Sequence, residues 1–210
     1  MTRRCTISLQ AHPWEKLAWH AALGIWMGLC YYPPQVWPLF SAGEVPLLLL
    51  EPQVPFSPVW VLVYQSVFLL HTAAIWLPVQ VSRTRSYCLV VGISFLVGAG
   101  FFWFLPMKVA QLQTDSWLYH ALIASVDGPR NAFPSLHAAM ATAGLLWVRA
   151  LVPARVTRML ALWWLALLYS ALAVGQHRLI DLVAGIGLVA IVVRIRSANY
   201  STLREGVDLP

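Results

Sequence analysis

The stretch TRMLALWWLALLYSALAV, residues 157–174, contains a single charged side chain, Arg158. A helix of about 20 predominantly apolar residues crosses the hydrocarbon core of a bilayer, so this stretch predicts a transmembrane helix. Five further apolar runs occur along the chain. The six runs are approximately Leu17–Tyr32, Pro58–Leu77, Cys88–Leu105, Leu136–Val152, Thr157–Val174 and Leu179–Ile195. We therefore expect an all-α fold, a polytopic membrane protein built as a six-helix transmembrane bundle.

The composition agrees with a bilayer as the solvent. Of the 210 residues, 60% are hydrophobic and 10% are charged, whereas about a quarter of a soluble domain is charged. We expect one integral-membrane domain over residues 1–210, with its core at about 55–195. The spacing of Cys5, Cys30 and Cys88 predicts neither a metal site nor a disulfide framework.

The net charge of +6 does not indicate a nucleic-acid partner, because the basic residues stand singly or in pairs between apolar runs. With six spans, one face receives eleven basic residues and the other three. The eleven are Arg3, Arg4, Lys16, Arg83, Arg85, Arg149, Arg155, Arg158, Arg194, Arg196 and Arg204. The three are Lys108, Arg130 and Arg178. Since cytoplasmic loops are rich in Lys and Arg, both termini are predicted to be cytoplasmic. The sequence leaves the oligomeric state open.

Two long connections separate the spans. The first, Pro33–Pro58, is rich in proline and contains the apolar run Pro46–Glu51, which is too short to span and predicts an interfacial or re-entrant segment. The second, Pro106–Ser135, predicts a loop with one short amphipathic helix around Trp117–Ser125.

Polar and ionisable residues that could take part in catalysis cluster where the fourth and sixth spans begin, at Asp127–His137 and Ser170–Asp181. Forty residues separate His137 from His177. Two crossings of about 18 residues and a tight turn use that interval. Both histidines should therefore lie at the same, extracytoplasmic face.

The residue types at these two places favour chemistry on an oxyanion. His177 and Asp181 are four apart, so on a helix they share one face, and the carboxylate fixes the imidazole tautomer. A carboxylate inside an apolar span is costly unless it is paired. Pro134 and Ser135 precede a helix start, whose free backbone N–H groups suit a phosphate.

These segments resemble the type 2 phosphatidic acid phosphatase superfamily. Its second motif, Pro-Ser-Gly-His, is matched by Pro134–His137 with Leu in place of Gly. Its third motif, Ser-Arg, five residues, His, three residues, Asp, is matched in register by Ser170, His177 and Asp181. Ala171 stands at the position of the motif's Arg.

The first motif of that family, Lys, six residues, Arg-Pro, is not intact. Lys108 is suitably placed, but Asp115 stands where the Arg would be. The run Phe133–Ala139, together with Gln176-His177 and Asp181–Gly185, is most similar to the branch that includes inositol phosphorylceramide synthase.

The resemblance implies a role for each matched residue. His177 attacks phosphorus and forms a phosphohistidine, and Asp181 holds His177 in position. His137 protonates the leaving oxygen and then activates water or an acceptor hydroxyl. The residues expected to hold the phosphate oxygens are Ser135, Lys108, Arg130 and Arg178.

Three functional interpretations remain open at this point. The first is a lipid phosphatase acting on a lipid phosphate or pyrophosphate. The second is a phosphotransferase that moves a phospho-headgroup to an acceptor alcohol, and the third is a non-catalytic membrane scaffold that retains the fold. Two His and one Asp also make a plausible zinc set. The phosphate-cradling neighbours favour an oxyanion over a cation, so no metal or other cofactor is expected.

Overall fold

The computed structural model describes residues 12–48, 51–110, 114–124, 127–128 and 130–205. Its α-helices are α1 (Pro13–Val36), α2 (Trp60–Gln65), α3 (Val67–Trp76), α4 (Val81–Phe104), α5 (Trp117–Tyr119), α6 (Leu136–Val148), α7 (Ala154–Ala173) and α8 (Leu179–Glu205). A 3₁₀ turn covers Glu51–Gln53, and a π-helical turn covers His120–Ala124. Two strands of two residues each are β1 (Gly43–Glu44) and β2 (Met107–Lys108). The predicted all-α class is confirmed.

The helices coincide with the six apolar runs, as α1, α2 with α3, α4, α6, α7 and α8. Among the described residues, α4 and α7 are the two helices that are both long and apolar enough to cross a membrane, judged by length and composition. The bundle of six spans therefore stays a prediction. In α7, Met159 is 69% exposed and Leu162 is 67% exposed, so this apolar helix is not buried inside the protein.

Helix ends follow from local chemistry. The Ser135 hydroxyl accepts a hydrogen bond from the Ala138 N–H at 3.1 Å and caps α6. Pro153 precedes the first residue of α7, and Pro13 is the first residue of α1, where the missing N–H costs nothing. The segment predicted as one helix over Pro58–Leu77 is divided into α2 and α3 at Ser66.

The helix α6 lies at the centre of the bundle and packs against α3, α4, α7 and α8, while α1 packs mainly against α4. Close approach depends on glycine at several contacts. A Cβ on Gly144 would lie 2.7 Å from the Leu70 side chain, and one on Gly98 would lie 2.7 Å from Leu136. The largest fully buried side chains include Tyr87, Phe102, Leu70, Ile75 and Leu167.

The small parallel sheet gathers the long connections at one end of the bundle. Gly43 pairs with Met107 and Glu44 pairs with Lys108. The Ala132 N–H donates to the Met107 carbonyl at 3.1 Å, so the loop before α6 extends the same network.

Three smaller predictions can be compared with these elements. The short helix expected around Trp117–Ser125 is present as α5 and the π-helical turn. Of the segment Pro46–Glu51, residues 49–50 lie outside the described residues. Cys30 and Cys88 are free thiols, and Cys5 lies outside the described residues.

Candidate active site

The starts of α6 and α8 are in direct contact. The Ser135 N–H donates to the Asp181 carbonyl at 3.0 Å. Gly185 permits this approach, because a Cβ there would lie 2.1 Å from the Ser135 carbonyl oxygen. The two polar segments that the sequence places forty residues apart are thus held together by backbone contacts.

His177 lies in the loop between α7 and α8 and is 6% exposed. Its Nδ1 is 3.2 Å from the Ala132 carbonyl oxygen and 3.7 Å from Asp181 Oδ2. A carbonyl only accepts hydrogen bonds, so Nδ1 carries the proton and Nε2 carries the free lone pair. Gly175, with φ of 71°, provides the left-handed turn that leads from α7 into this loop.

The predicted reason for the His177–Asp181 contact was wrong, although the two side chains do meet. His177 precedes α8, which begins at Leu179, so the pair does not share a helical face. Asp181 instead reaches back to the start of its own helix, where Oδ2 accepts from the Arg178 N–H at 2.7 Å. Asp181 is fully buried, and its Oδ1 has no hydrogen-bond partner within the described part of the chain.

His137 is the second residue of α6. Its ring stacks on the ring of Tyr64, with centroids 3.9 Å apart and planes 9° apart. Its Nε2 is buried without a hydrogen-bond partner among the described residues. Because the Ser135 N–H bonds the Asp181 carbonyl, His137 lies where the start of α6 meets the start of α8.

A pocket of about 210 Å³ opens beside His177. Its lining combines charged and apolar side chains, namely Leu47, Glu51, Val54, Phe56, Ala110, Leu172, Gly175, His177 and Arg178. The buried Glu51 carboxylate accepts from the Leu48 N–H at 3.0 Å and from the Leu179 N–H. Glu51 therefore ties the first long connection to the start of α8.

The sequence profile of the PAP2 superfamily matches residues 106–203. This match is consistent with a member of the type 2 phosphatidic acid phosphatase superfamily. Members of this superfamily are generally phosphoryl hydrolases or transferases, so phosphatase-type chemistry on phosphate esters is indicated. No curated protein matches the chain.

The residues predicted to hold phosphate lie within the PAP2 match, but they are not all at the pocket. Arg178 lines the pocket with His177. Lys108 instead faces Glu44, with Nζ 3.6 Å from Oε1, and both side chains are well exposed. Arg130 is partly buried in the loop before α6, and Ser135 is fully buried as the cap of α6. Phosphate contacts by all four residues, Arg178, Lys108, Arg130 and Ser135, stay predictions.

Sequence reasoning missed a polar cluster next to His137. Asp127 accepts a hydrogen bond from the Tyr64 hydroxyl at 3.1 Å and another from the Tyr31 hydroxyl. Burial raises the pKa of the Asp127 carboxyl from its ordinary 3.8 to about 6, and the nearby His177 acts in the opposite direction. Tyr31 and Tyr64 lie outside the PAP2 match. The sequence feature that could have indicated this cluster is the acidic residue Asp127, which stands shortly before the second motif.

The described residues contain no group of three or more His, Cys, Asp or Glu side chains that could hold a metal ion. His177 and Asp181 are paired with each other and with backbone groups instead. The expectation that the chemistry requires no metal stays a prediction.

Proposed function

We propose that this protein is a PAP2 superfamily member and an integral-membrane lipid phosphatase that acts on a lipid phosphate or pyrophosphate through a phosphohistidine. The observation that carries the proposal is the environment of His177. Its Nδ1 faces the Ala132 carbonyl and Asp181, and its ring lines a pocket shared with Arg178. The Nε2 lone pair is therefore available to attack phosphorus.

In the first step, the lone pair of His177 Nε2 forms the N–P bond while the bond from phosphorus to the leaving oxygen breaks. The leaving oxygen takes a proton from His137, which we assign as the general acid. In the second step, a water oxygen attacks phosphorus and the water gives a proton to His137. The N–P bond breaks, its electron pair returns to Nε2, and phosphate leaves.

Two neighbours support the histidine nucleophile. Asp181 favours the Nδ1–H tautomer and stabilises positive charge on the ring as the N–P bond forms. Arg178 is the basic side chain at the pocket, and we assign it to the phosphate oxygens. Lys108 and Arg130 remain secondary phosphate ligands, since β2 and the loop before α6 bring them to the same end of the bundle.

A bilayer location is supported by exposed apolar surface and by the PAP2 match. The helix α7 presents Met159, Leu162 and Leu165 outward, which is costly in water and favourable in lipid. We propose a multi-pass protein of the plasma or inner membrane with both termini in the cytoplasm. The asymmetry of Lys and Arg supports an extracytoplasmic location for the pocket.

A phosphotransferase is the second candidate, and the walls of the pocket favour it. Leu47, Val54 and Phe56 make one side of the pocket apolar, which suits the chain of an acceptor lipid better than bulk water. The first step is the same. In the second step, an acceptor hydroxyl replaces water, gives its proton to His137 and takes the phosphoryl group.

Detergent-purified protein incubated with phospholipids and prenyl pyrophosphates tests both candidates. Released phosphate supports the phosphatase, and a new phospholipid product supports the transferase. His177→Asn should reduce turnover by orders of magnitude. His120→Asn is the matched control, because His120 is exposed and bonds the Thr114 carbonyl at 2.6 Å. Wild-type protein without turnover on the whole panel would contradict both candidates and favour a non-catalytic scaffold.

A further inference from the structure

The cluster beside His137 joins three separate parts of the chain. Tyr31 comes from α1, Tyr64 from α2, and Asp127 from the loop before α6. Both phenols donate to the Asp127 carboxylate, Tyr64 to Oδ2 at 3.1 Å and Tyr31 to Oδ1. The Asn131 amide nitrogen also donates to the Tyr31 carbonyl at 2.7 Å, which ties α1 to the same loop. Asp127 therefore holds Tyr64 in one orientation.

Tyr64 in turn fixes the ring plane of His137. The two rings are nearly parallel, with centroids 3.9 Å apart. A phenol that donates to a carboxylate has an electron-rich ring, and an electron-rich face attracts a cation. The stack therefore stabilises His137 more when the imidazole is protonated than when it is neutral.

We propose that Tyr64, held by Asp127, is a positioning residue for the acid–base histidine His137. It fixes the imidazole plane and favours the imidazolium that protonates the leaving oxygen. This inference rests on the proposed function. Among the described residues, the titratable groups around this cluster include Tyr31, Tyr119, His177 and Asp181. The positive charge of a protonated His177 opposes protonation of His137.

The contribution of Asp127 depends on its ionisation. Burial raises the pKa of its carboxyl to about 6, so the carboxylate is present at neutral pH and lost in acid. The Tyr64 hydroxyl then has a charged acceptor above about pH 6 and a neutral one below it.

The experiment is a comparison of kcat and KM against pH for wild type, Tyr64→Phe and Asp127→Asn. Tyr64→Phe keeps the stacked ring and removes the hydroxyl, whereas Asp127→Asn keeps the side-chain size and removes the charge. In both variants we expect the alkaline limb of the kcat profile to move to lower pH by about half a unit to one unit. At a pH on that limb kcat falls about three- to tenfold, while KM stays unchanged because Tyr64 does not line the pocket.

Tyr169→Phe is the matched control, since it makes the same chemical change on α7, where Tyr169 packs against Trp60. Its profile should coincide with that of the wild type. A purely structural role for Tyr64 would lower the amount of folded protein and leave the alkaline limb in place, which would overturn the inference alone. Wild-type protein without turnover would overturn the proposed function and this inference together.

Discussion

Replacing Gly185 with alanine should push the start of α6, which carries Ser135 and His137, away from the start of α8, which carries Asp181. The added Cβ would lie 2.1 Å from the Ser135 carbonyl oxygen and 3.2 Å from the Ala138 Cβ. Ordinary contacts of a Cβ begin near 3.4 Å, so α6 and α8 must move apart by about 1.3 Å. The bond from the Ser135 N–H to the Asp181 carbonyl would lengthen from 3.0 Å to about 4 Å, beyond hydrogen-bond reach.

A displacement of about 1 Å between catalytic groups costs about 100-fold in rate, so kcat/KM should fall by that factor. The free energy of unfolding should fall by about 1–3 kcal/mol from overpacking. The assay is turnover of the best lipid phosphate together with thermal unfolding. Gly187→Ala is the control, because nothing lies within 4 Å of its added Cβ and alanine favours helix by about 1 kcal/mol. Equal turnover in the two variants would refute the reasoning.

Three further predictions concern stability and topology. Burial raises the pKa of Asp127 from its ordinary 3.8 to about 6, so between these pH values the folded protein holds a proton that the unfolded chain has lost. The unfolding free energy of wild type relative to Asp127→Asn should therefore fall by about 3 kcal/mol as pH rises through that window. A difference that does not change with pH would contradict the shift. Ser135→Ala removes the cap of α6 and should cost about 1 kcal/mol in chemical denaturation, whereas an unchanged midpoint would mean that the cap contributes nothing. Single-cysteine labelling of intact cells should reach positions 127–131 and miss 83–86; the opposite pattern would place the site in the cytoplasm.

The sequence predicted the locations of the helices well because long apolar runs form few structures other than helices. It missed helix ends for a physical reason. The helix α4 begins at Val81, well before the predicted Cys88, since its first turns carry polar residues that hydropathy does not detect. Thr84 in those turns donates to the Ile75 carbonyl at 3.1 Å, a contact that depends on α3. The membrane location of all six runs stays a prediction.

The candidate site was only partly predictable from sequence. The motif spacing identified His137, His177 and Asp181 as candidate site residues because all three lie in short local patterns. Tyr64 and Glu51 carry no such pattern, and their partners, Asp127 and Leu179, are 63 and 128 positions away along the chain. Contacts of that kind depend on how the helices pack, and local sequence patterns do not reveal that packing.

Covalent trapping tests most directly whether His177 receives the phosphoryl group. Protein would be mixed with the most rapidly used lipid phosphate, radiolabelled at phosphorus, quenched in alkali to preserve phosphohistidine, and digested for peptide mapping. We predict label on the peptide containing His177 in wild type and in His120→Asn, and no label in His177→Asn. Label on another residue, or turnover that persists in His177→Asn, would contradict the mechanism.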